Sequence, residues 1–222
     1  MKQIPLPIGV EPARTFDNFL PGANEQAISQ LRALGARSNP VYLWGTSGSG
    51  KTHLLRATAQ QFHDQGLQVG WFSAADLPPW PHDEAWSLIV FDDCDDLDPD
   101  QQHAAFALFV EAVDAGVPVV AAGRVPPVDL PLREDLRTRI GWGHIFAIEP
   151  LGESEARAAL RREADRRGVF LSDEVMDYLL TRYTRDLKHL MAQVDRLDEF
   201  SLATKRAITV PLLKQMLSEA GG

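Results

Sequence analysis

No stretch constrains this chain more than Gly45-Thr46-Ser47-Gly48-Ser49-Gly50-Lys51-Thr52. It follows an apolar run, Val41-Tyr42-Leu43-Trp44, and opens a helix-forming run, His53-Leu54-Leu55-Arg56-Ala57. Strand, glycine loop, lysine, hydroxyl and helix in that order make a P-loop. The glycines let the backbone wrap a polyphosphate with its N–H groups turned inward, and the helix N-terminus adds partial positive charge. Gly45, Gly48, Ser49, Gly50, Lys51 and Thr52 are therefore the nucleotide-binding candidates, with Lys51 for the β- and γ-phosphates and the Thr52 hydroxyl for Mg²⁺. The ligand implied is ATP or ADP. The plainer reading of the same residues is a glycine-rich surface turn.

A second run argues against that plainer reading. Trp86-Ser87-Leu88-Ile89-Val90-Phe91 is nearly continuous in apolar residues and ends in Asp92-Asp93. Apolar residues on both faces belong to a strand inside a parallel sheet. Ligands of such sheets lie at the carboxyl ends of the strands, so Asp92 and Asp93 are expected beside the P-loop. Asp92 then holds Mg²⁺ and Asp93 orients the attacking water. Asp95, Asp96, Asp98 and Asp100 follow closely and read as helix caps or solvated loop.

The rest of the first 151 residues alternates strand and helix. Ala27, Ile28, Leu31 and Leu34 carry an amphipathic helix, and Val69–Ser73 is a short strand. Three prolines between Asp76 and Asp83 leave only a loop there. A helix over 101–115, a buried strand over 117–123, a short Arg-bearing helix over 132–139 and a strand over 144–148 complete this part. Trp142, between two glycines, reads as core packing. From Gly152 the period is helical, with helices expected at 153–167, 172–183, 186–200 and 210–219, and a weak strand signal at Ala207-Ile208.

Composition narrows the partners. With 22 basic against 31 acidic residues the chain carries a formal charge of −9. That balance disfavours a non-specific grip on nucleic acid, which needs clustered Lys and Arg. One cysteine, Cys94, excludes an internal disulfide and reads as an inert core thiol. No apolar run approaches membrane-spanning length and no signal peptide is evident, so a cytoplasmic protein is expected. The first residues, with Pro5, Pro7 and Pro12, read as an extended arm. Within it Gln3, Ile4, Leu6 and Ile8 either dock in an apolar groove on a partner or form a plain tail.

Together these features resemble the AAA+ ATPases, and among them the DnaA-like family. Thr15-Phe16-Asp17-Asn18-Phe19 with Gly22 is similar to that family's entry segment. Asp135-Leu136-Arg137-Thr138-Arg139-Ile140-Gly141-Trp142-Gly143 is similar to its arginine-finger box, and Arg167–Leu171 and Arg206–Val210 to its lid. The resemblance covers about residues 15–219. It implies a five-stranded parallel sheet flanked by helices, followed by a small all-helical lid. Arm, α/β subdomain and lid are expected at 1–14, 15–151 and 152–222.

The arm resembles a sliding-clamp-binding motif, and a bare DnaA-like module bearing one is similar to the regulatory inactivators of DnaA. By that resemblance Gln3, Ile4, Leu6 and Ile8 bind the sliding clamp, the beta subunit of DNA polymerase III. Arg139 is the arginine finger offered to ATP on DnaA, so DnaA-ATP becomes DnaA-ADP and re-initiation is blocked. DNA is met only through the clamp, no membrane is involved, and homo-oligomers are compatible. The lid's sensor arginine falls at Lys188, and the position of a polar sensor at the third buried strand's end falls at Arg124. Both departures point to weak or absent hydrolysis by the chain itself. The alternative is an autonomous P-loop ATPase that remodels another replication protein, as helicase loaders do.

Overall fold

The computed structural model describes residues 14–182 and 187–219, without the side chains of residues 18, 182 and 187–189. Five strands form one parallel sheet: β1 (Val41–Trp44), β2 (Gln68–Phe72), β3 (Trp86–Phe91), β4 (Val119–Gly123) and β5 (His144–Ala147). Their spatial order is β2-β3-β4-β1-β5. β1 therefore lies inside the sheet, with β4 on one side and β5 on the other. Its carboxyl end delivers the chain into Gly45.

Period-two alternation sorts the strand residues between two cores. Val41, Leu43, Leu88, Val90, Val120 and Ala122 pack on one face, against Ile28 and Leu31 of α1 (Glu25–Arg32) and Leu54 and Leu55 of α2 (Lys51–Asp64). Tyr42, Ile89, Phe91, Val119 and Ala121 pack on the other. There they meet Leu108 and Phe109 of α3 (Pro99–Asp114) and Leu136 of α4 (Glu134–Ile140). With both faces covered, an inner strand is apolar on both sides, as β4 is throughout and β3 is from Leu88 onward. Each fully buried Leu or Phe contributes about 1.5–3 kcal/mol.

α3 starts two residues before the expected 101 because Asp98 caps it. Asp98 accepts from the Gln101 N–H at 2.8 Å, and the Gln101 side chain accepts from the Asp98 N–H at 2.9 Å. Pro99 occupies the first turn, where no N–H is missed. The Gln101 amide also donates to the carbonyls of Ala74 and Asp76, both at 3.0 Å. That ties the start of α3 to the loop after β2.

Beyond β5 the chain is helical: α5 (Glu153–Arg166), α6 (Asp173–Arg182), α7 (Leu187–Thr204) and α8 (Val210–Glu219). These helices share a core of their own, with Leu160, Leu179, Leu190, Val194, Leu197 and Leu212 at its centre. The strand signal at Ala207-Ile208 is not realised; Ile208 packs against that helical core. The turn into α5 is held from the opposite end of the sequence. Asn24, buried, donates to the Glu149 carbonyl and accepts from the Glu149 N–H, both at 2.9 Å. Among the described residues no helix is long and apolar enough to cross a membrane.

Two expectations need correction. Trp142 is not core: it is 69% exposed. Gly143 is the reason, since a Cβ there would fall 1.9 Å from the Pro40 carbonyl oxygen. The backbone is pressed against Pro40 and the indole is turned out. Asp95 is not cap or solvated loop either: its side chain is buried against Arg124, while Asp96, half-exposed, pairs with the same guanidinium. Asp98 alone caps α3.

Candidate nucleotide site and arginine groove

The P-loop takes its shape from backbone angles that only glycine adopts freely. Gly48 (φ 78°) and Gly50 (φ 104°) lie in the left-handed region. A Cβ on Gly50 would also fall 2.7 Å from the Phe19 ring. Phe19, edge-on to His53 at 5.2 Å, therefore closes the outside of the loop. This explains the Phe16–Phe19 turn at the start of the chain. Phe16 anchors it in the core, and His53 Nε2 lies 3.0 Å from the Thr15 carbonyl oxygen.

The structure brings the loop and the β3 acids together. Ser47, Gly48, Lys51, Thr52, Asp93, Asp96 and Arg124 line one cavity of about 300 Å³. The Lys51 ammonium donates to the carbonyls of Gly45 (2.8 Å) and Thr46 (3.0 Å). Burial pulls its pKa below the usual lysine value, while Asp93, Asp95 and Asp92 oppose that pull. The Thr52 hydroxyl donates to Asp92 Oδ1 at 3.2 Å. Asp92 is only 6% exposed, and burial, then the charge of Asp93, raises its carboxyl above the ordinary value. Asp93 adopts a left-handed conformation (φ 48°), which turns the chain sharply after β3.

This donor set fits a magnesium nucleotide. The Ser49 hydroxyl is buried in the loop without a hydrogen-bond partner, a polar atom that a phosphate oxygen would satisfy. No group of three or more His, Cys, Asp or Glu side chains among the described residues forms a metal cage. Mg²⁺ does not need one: one or two protein ligands and phosphate oxygens suffice, and the touching Thr52–Asp92 pair supplies those.

Arg124 is the cation that sequence reading placed at the sensor position without a partner. It follows Gly123 at the end of β4, and its guanidinium reaches two carboxylates of the Cys94–Asp96 turn. Nε lies 2.5 Å from Asp95, whose side chain is 5% exposed, and a terminal nitrogen bonds Asp96, whose side chain is 51% exposed. The Arg124 N–H also donates to Asp95 at 3.2 Å. Neighbouring Cys94 is fully buried, and burial drives its thiol far above the usual range, as an inert core thiol requires.

Arg139 lies elsewhere. It lines an open groove of about 670 Å³ with Phe106, Arg133, Glu134, Asp135 and Thr138. The groove and the nucleotide cavity share no residue. The guanidinium sits 5.4 Å from the centre of the Phe106 ring, which carries Arg133 at the same distance. Arg133 is neutralised by Asp135 at 2.7 Å; Arg139 has no carboxylate partner among the described residues. Phe106 escaped sequence reading because one aromatic on a helix looks like any core residue. Lys188 lies in α7, with its side chain outside the described residues. Gln3, Ile4, Leu6 and Ile8 also lie outside them.

A P-loop after the inner strand β1, carboxylates at the end of β3 and a following helical subdomain define an AAA+ module. Two family models match its two ends: "Bacterial DnaA ATPase domain" over residues 10–76 and "Hda, lid domain" over residues 153–217. The fold is similar to domain III of the replication initiation protein DnaA of Thermotoga maritima (TM-score 0.77, 22% identity, 95% of this chain and 98% of that one). It is similar to AMPPCP-bound DnaA from Aquifex aeolicus (0.70, 23%), of which it spans 65% while 84% of this chain is covered. The Holliday junction branch migration motor RuvB of Thermotoga maritima shares the fold more distantly (0.67, 16%, 92% of this chain and 71% of that one). The chain is thus similar to the Hda and DnaA proteins at its two ends and has the fold of the DnaA AAA+ domain.

Proposed function

We propose that this chain regulates the initiation of chromosome replication as a nucleotide-bound adaptor. It docks on the DNA-loaded sliding clamp through Gln3, Ile4, Leu6 and Ile8 and promotes ATP hydrolysis by DnaA. One observation carries this reading: Arg139 is a cation without a carboxylate partner among the described residues, seated on Phe106 in a groove separate from the chain's own nucleotide cavity. A guanidinium so placed is available to charge on another molecule. An arginine finger is worth about 10³–10⁵ in rate when it meets developing charge on a transferring phosphoryl group.

In this reading the chain's own ATP or ADP is held by Gly45, Gly48, Ser49, Gly50, Lys51 and Thr52, and by Lys188 of the lid. Mg²⁺, when bound with the nucleotide, neutralises phosphate charge, and Thr52 and Asp92 are its protein ligands. The bound nucleotide braces the module and sets the lid, while Arg139 faces outward. Replacement of a polar sensor by Arg124, already committed to Asp95 and Asp96, supports weak hydrolysis at this site. The second reading, an autonomous ATPase, draws on Asp93, which lines the nucleotide cavity beside the Thr52–Asp92 contact.

The test mixes the protein with DnaA-ATP and clamp loaded on DNA and follows conversion to ADP. Stimulation lost in Arg139→Ala supports the adaptor. Stimulation unchanged in that variant, or brisk turnover by the protein alone, favours the autonomous ATPase. Alanine at Gln3 and Leu6 should abolish clamp pull-down if the arm is the clamp ligand.

A further inference from the structure

We infer that Trp142 is the apolar anchor of the surface that receives the nucleotide-bearing partner of Arg139; this rests on the trans reading of Arg139 above. Among the described residues before α5 the indole is the most exposed aromatic side chain, at 69%. Its exposure is built in. Gly141 closes α4 by donating to the Arg137 carbonyl at 3.0 Å and abuts Pro127, where a Cβ would fall 3.1 Å from the ring. Gly143 is pressed on Pro40, and the next N–H, of His144, donates to the Pro40 carbonyl at 2.8 Å. A tryptophan fixed between two such glycines has no route into the core.

The loop that holds Trp142 is also the end of the helix that holds Arg139. The Trp142 N–H donates to the Arg139 carbonyl at 3.3 Å. The last turn of α4 carries Arg137 and Arg139, neither with a carboxylate partner among the described residues. The acids of α4, Glu134 and Asp135, stand in its first turn, so its last turn is a cationic end whose complement is an anion. The occupant that joins an anion to an apolar recess is a second AAA+ module presenting a nucleoside triphosphate at its edge. Tryptophan and arginine together are the residues that dominate such contacts. Trp142 binds the protein surface while Arg139 meets the phosphate, so the two divide affinity from rate.

That division makes the experiment decisive. Stimulation of DnaA-ATP hydrolysis on clamp-loaded DNA is titrated with wild type, Trp142→Ala, Trp142→Phe and Arg139→Ala. Thermal melting and nucleotide affinity serve as folding controls, which an exposed side chain should leave unmoved. Trp142→Ala should raise the concentration for half-maximal stimulation at least about tenfold while the maximal rate stays within about twofold. Trp142→Phe should recover most of the loss. Arg139→Ala should lower the maximal rate instead. A wild-type titration by Trp142→Ala, with Arg139→Ala inactive, overturns the anchor and spares the finger. Loss in neither variant overturns the finger itself. If Trp142→Ala only dissolves a self-assembled form seen by sedimentation, the surface covers a second copy and the anchor is overturned.

Discussion

The two cationic regions of this protein are under opposite constraints. In the nucleotide cavity the charges are already engaged: Lys51 with two loop carbonyls, Arg124 with Asp95 and Asp96. In the groove beside α4, Arg139 rests on a ring and pairs with no carboxylate among the described residues. An aromatic face orients a guanidinium without neutralising it; the attraction is about 0.5–1 kcal/mol at an exposed site. The chain thus uses its own acids to hold the cavity in shape and leaves the charge of Arg139 to be met from outside.

The largest effect should come from breaking the outward side. Arg139→Ala should cut stimulated hydrolysis of DnaA-ATP by about 10³-fold or more, while nucleotide affinity of the chain itself stays within about twofold. Equilibrium titration with a fluorescent nucleotide, run beside the hydrolysis assay, checks both halves. An equal loss of nucleotide affinity would mean that the two regions are one site.

Breaking the inward side comes next. Lys51→Ala removes two charge-assisted contacts within the loop and the cation for the phosphates. At about 1.5–3 kcal/mol for each such bond, nucleotide affinity should fall by at least about 10–100-fold. The groove shares no residue with the loop, so the ring contact of Arg139 should persist. If stimulation nevertheless fails, bound nucleotide is the brace that presents the finger.

How much of this was legible before the structure follows the same division. The P-loop, the Asp92-Asp93 pair and the strand alternation are local patterns, and local geometry decides them. The Arg124–Asp95–Asp96 clasp joins residues 28 and 29 positions apart, through the pairing of β3 with β4. No spacing in the sequence announces that contact. Trp142 reads as core because tryptophan usually is; what ejects it is a backbone contact between Gly143 and Pro40, more than a hundred positions upstream. Phe106 acquires its role only once α3 and α4 pack together. Sequence therefore reports the site that acts through its own loop, and misses the side chains that position charges across elements.

A smaller, purely structural effect should separate the regions again. A Cβ on Gly123 would fall 2.4 Å from the Tyr42 hydroxyl and 3.1 Å from Asp95. Tyr42 is fully buried and donates to the Val125 carbonyl at 2.7 Å, so it cannot withdraw. Gly123→Ala should cost about 1–3 kcal/mol through overpacking, and each kcal/mol lowers Tm by about 2–4 °C in a chain of this size. Half-maximal stimulation by Arg139, read well below that Tm, should not move.

The smallest effect is a matter of pH, and it isolates the cost of keeping the cavity acidic. Asp92 is buried beside Asp93, and both facts raise its folded pKa above the unfolded value near 3.8. A carboxyl shifted this way binds its proton more readily folded than unfolded. Its ionised form therefore costs stability at neutral pH, and the cost fades as pH falls through the raised folded value. Below the unfolded pKa it is gone. Asp92→Asn, in EDTA and without nucleotide, should melt above wild type by about 2–4 °C at pH 7 for each kcal/mol recovered. That gap should close as pH approaches about 4. The Thr52 hydroxyl and the Asp93 N–H, which now bond Asp92, keep an acceptor in the amide oxygen, so the change is one of charge. With Mg²⁺ and nucleotide present the sign should reverse, because the carboxylate then faces a cation. A pH-independent gap would mean that Asp92 acts by packing rather than by its charge. A gap that survives Mg²⁺ nucleotide unchanged would remove Asp92 from the metal site.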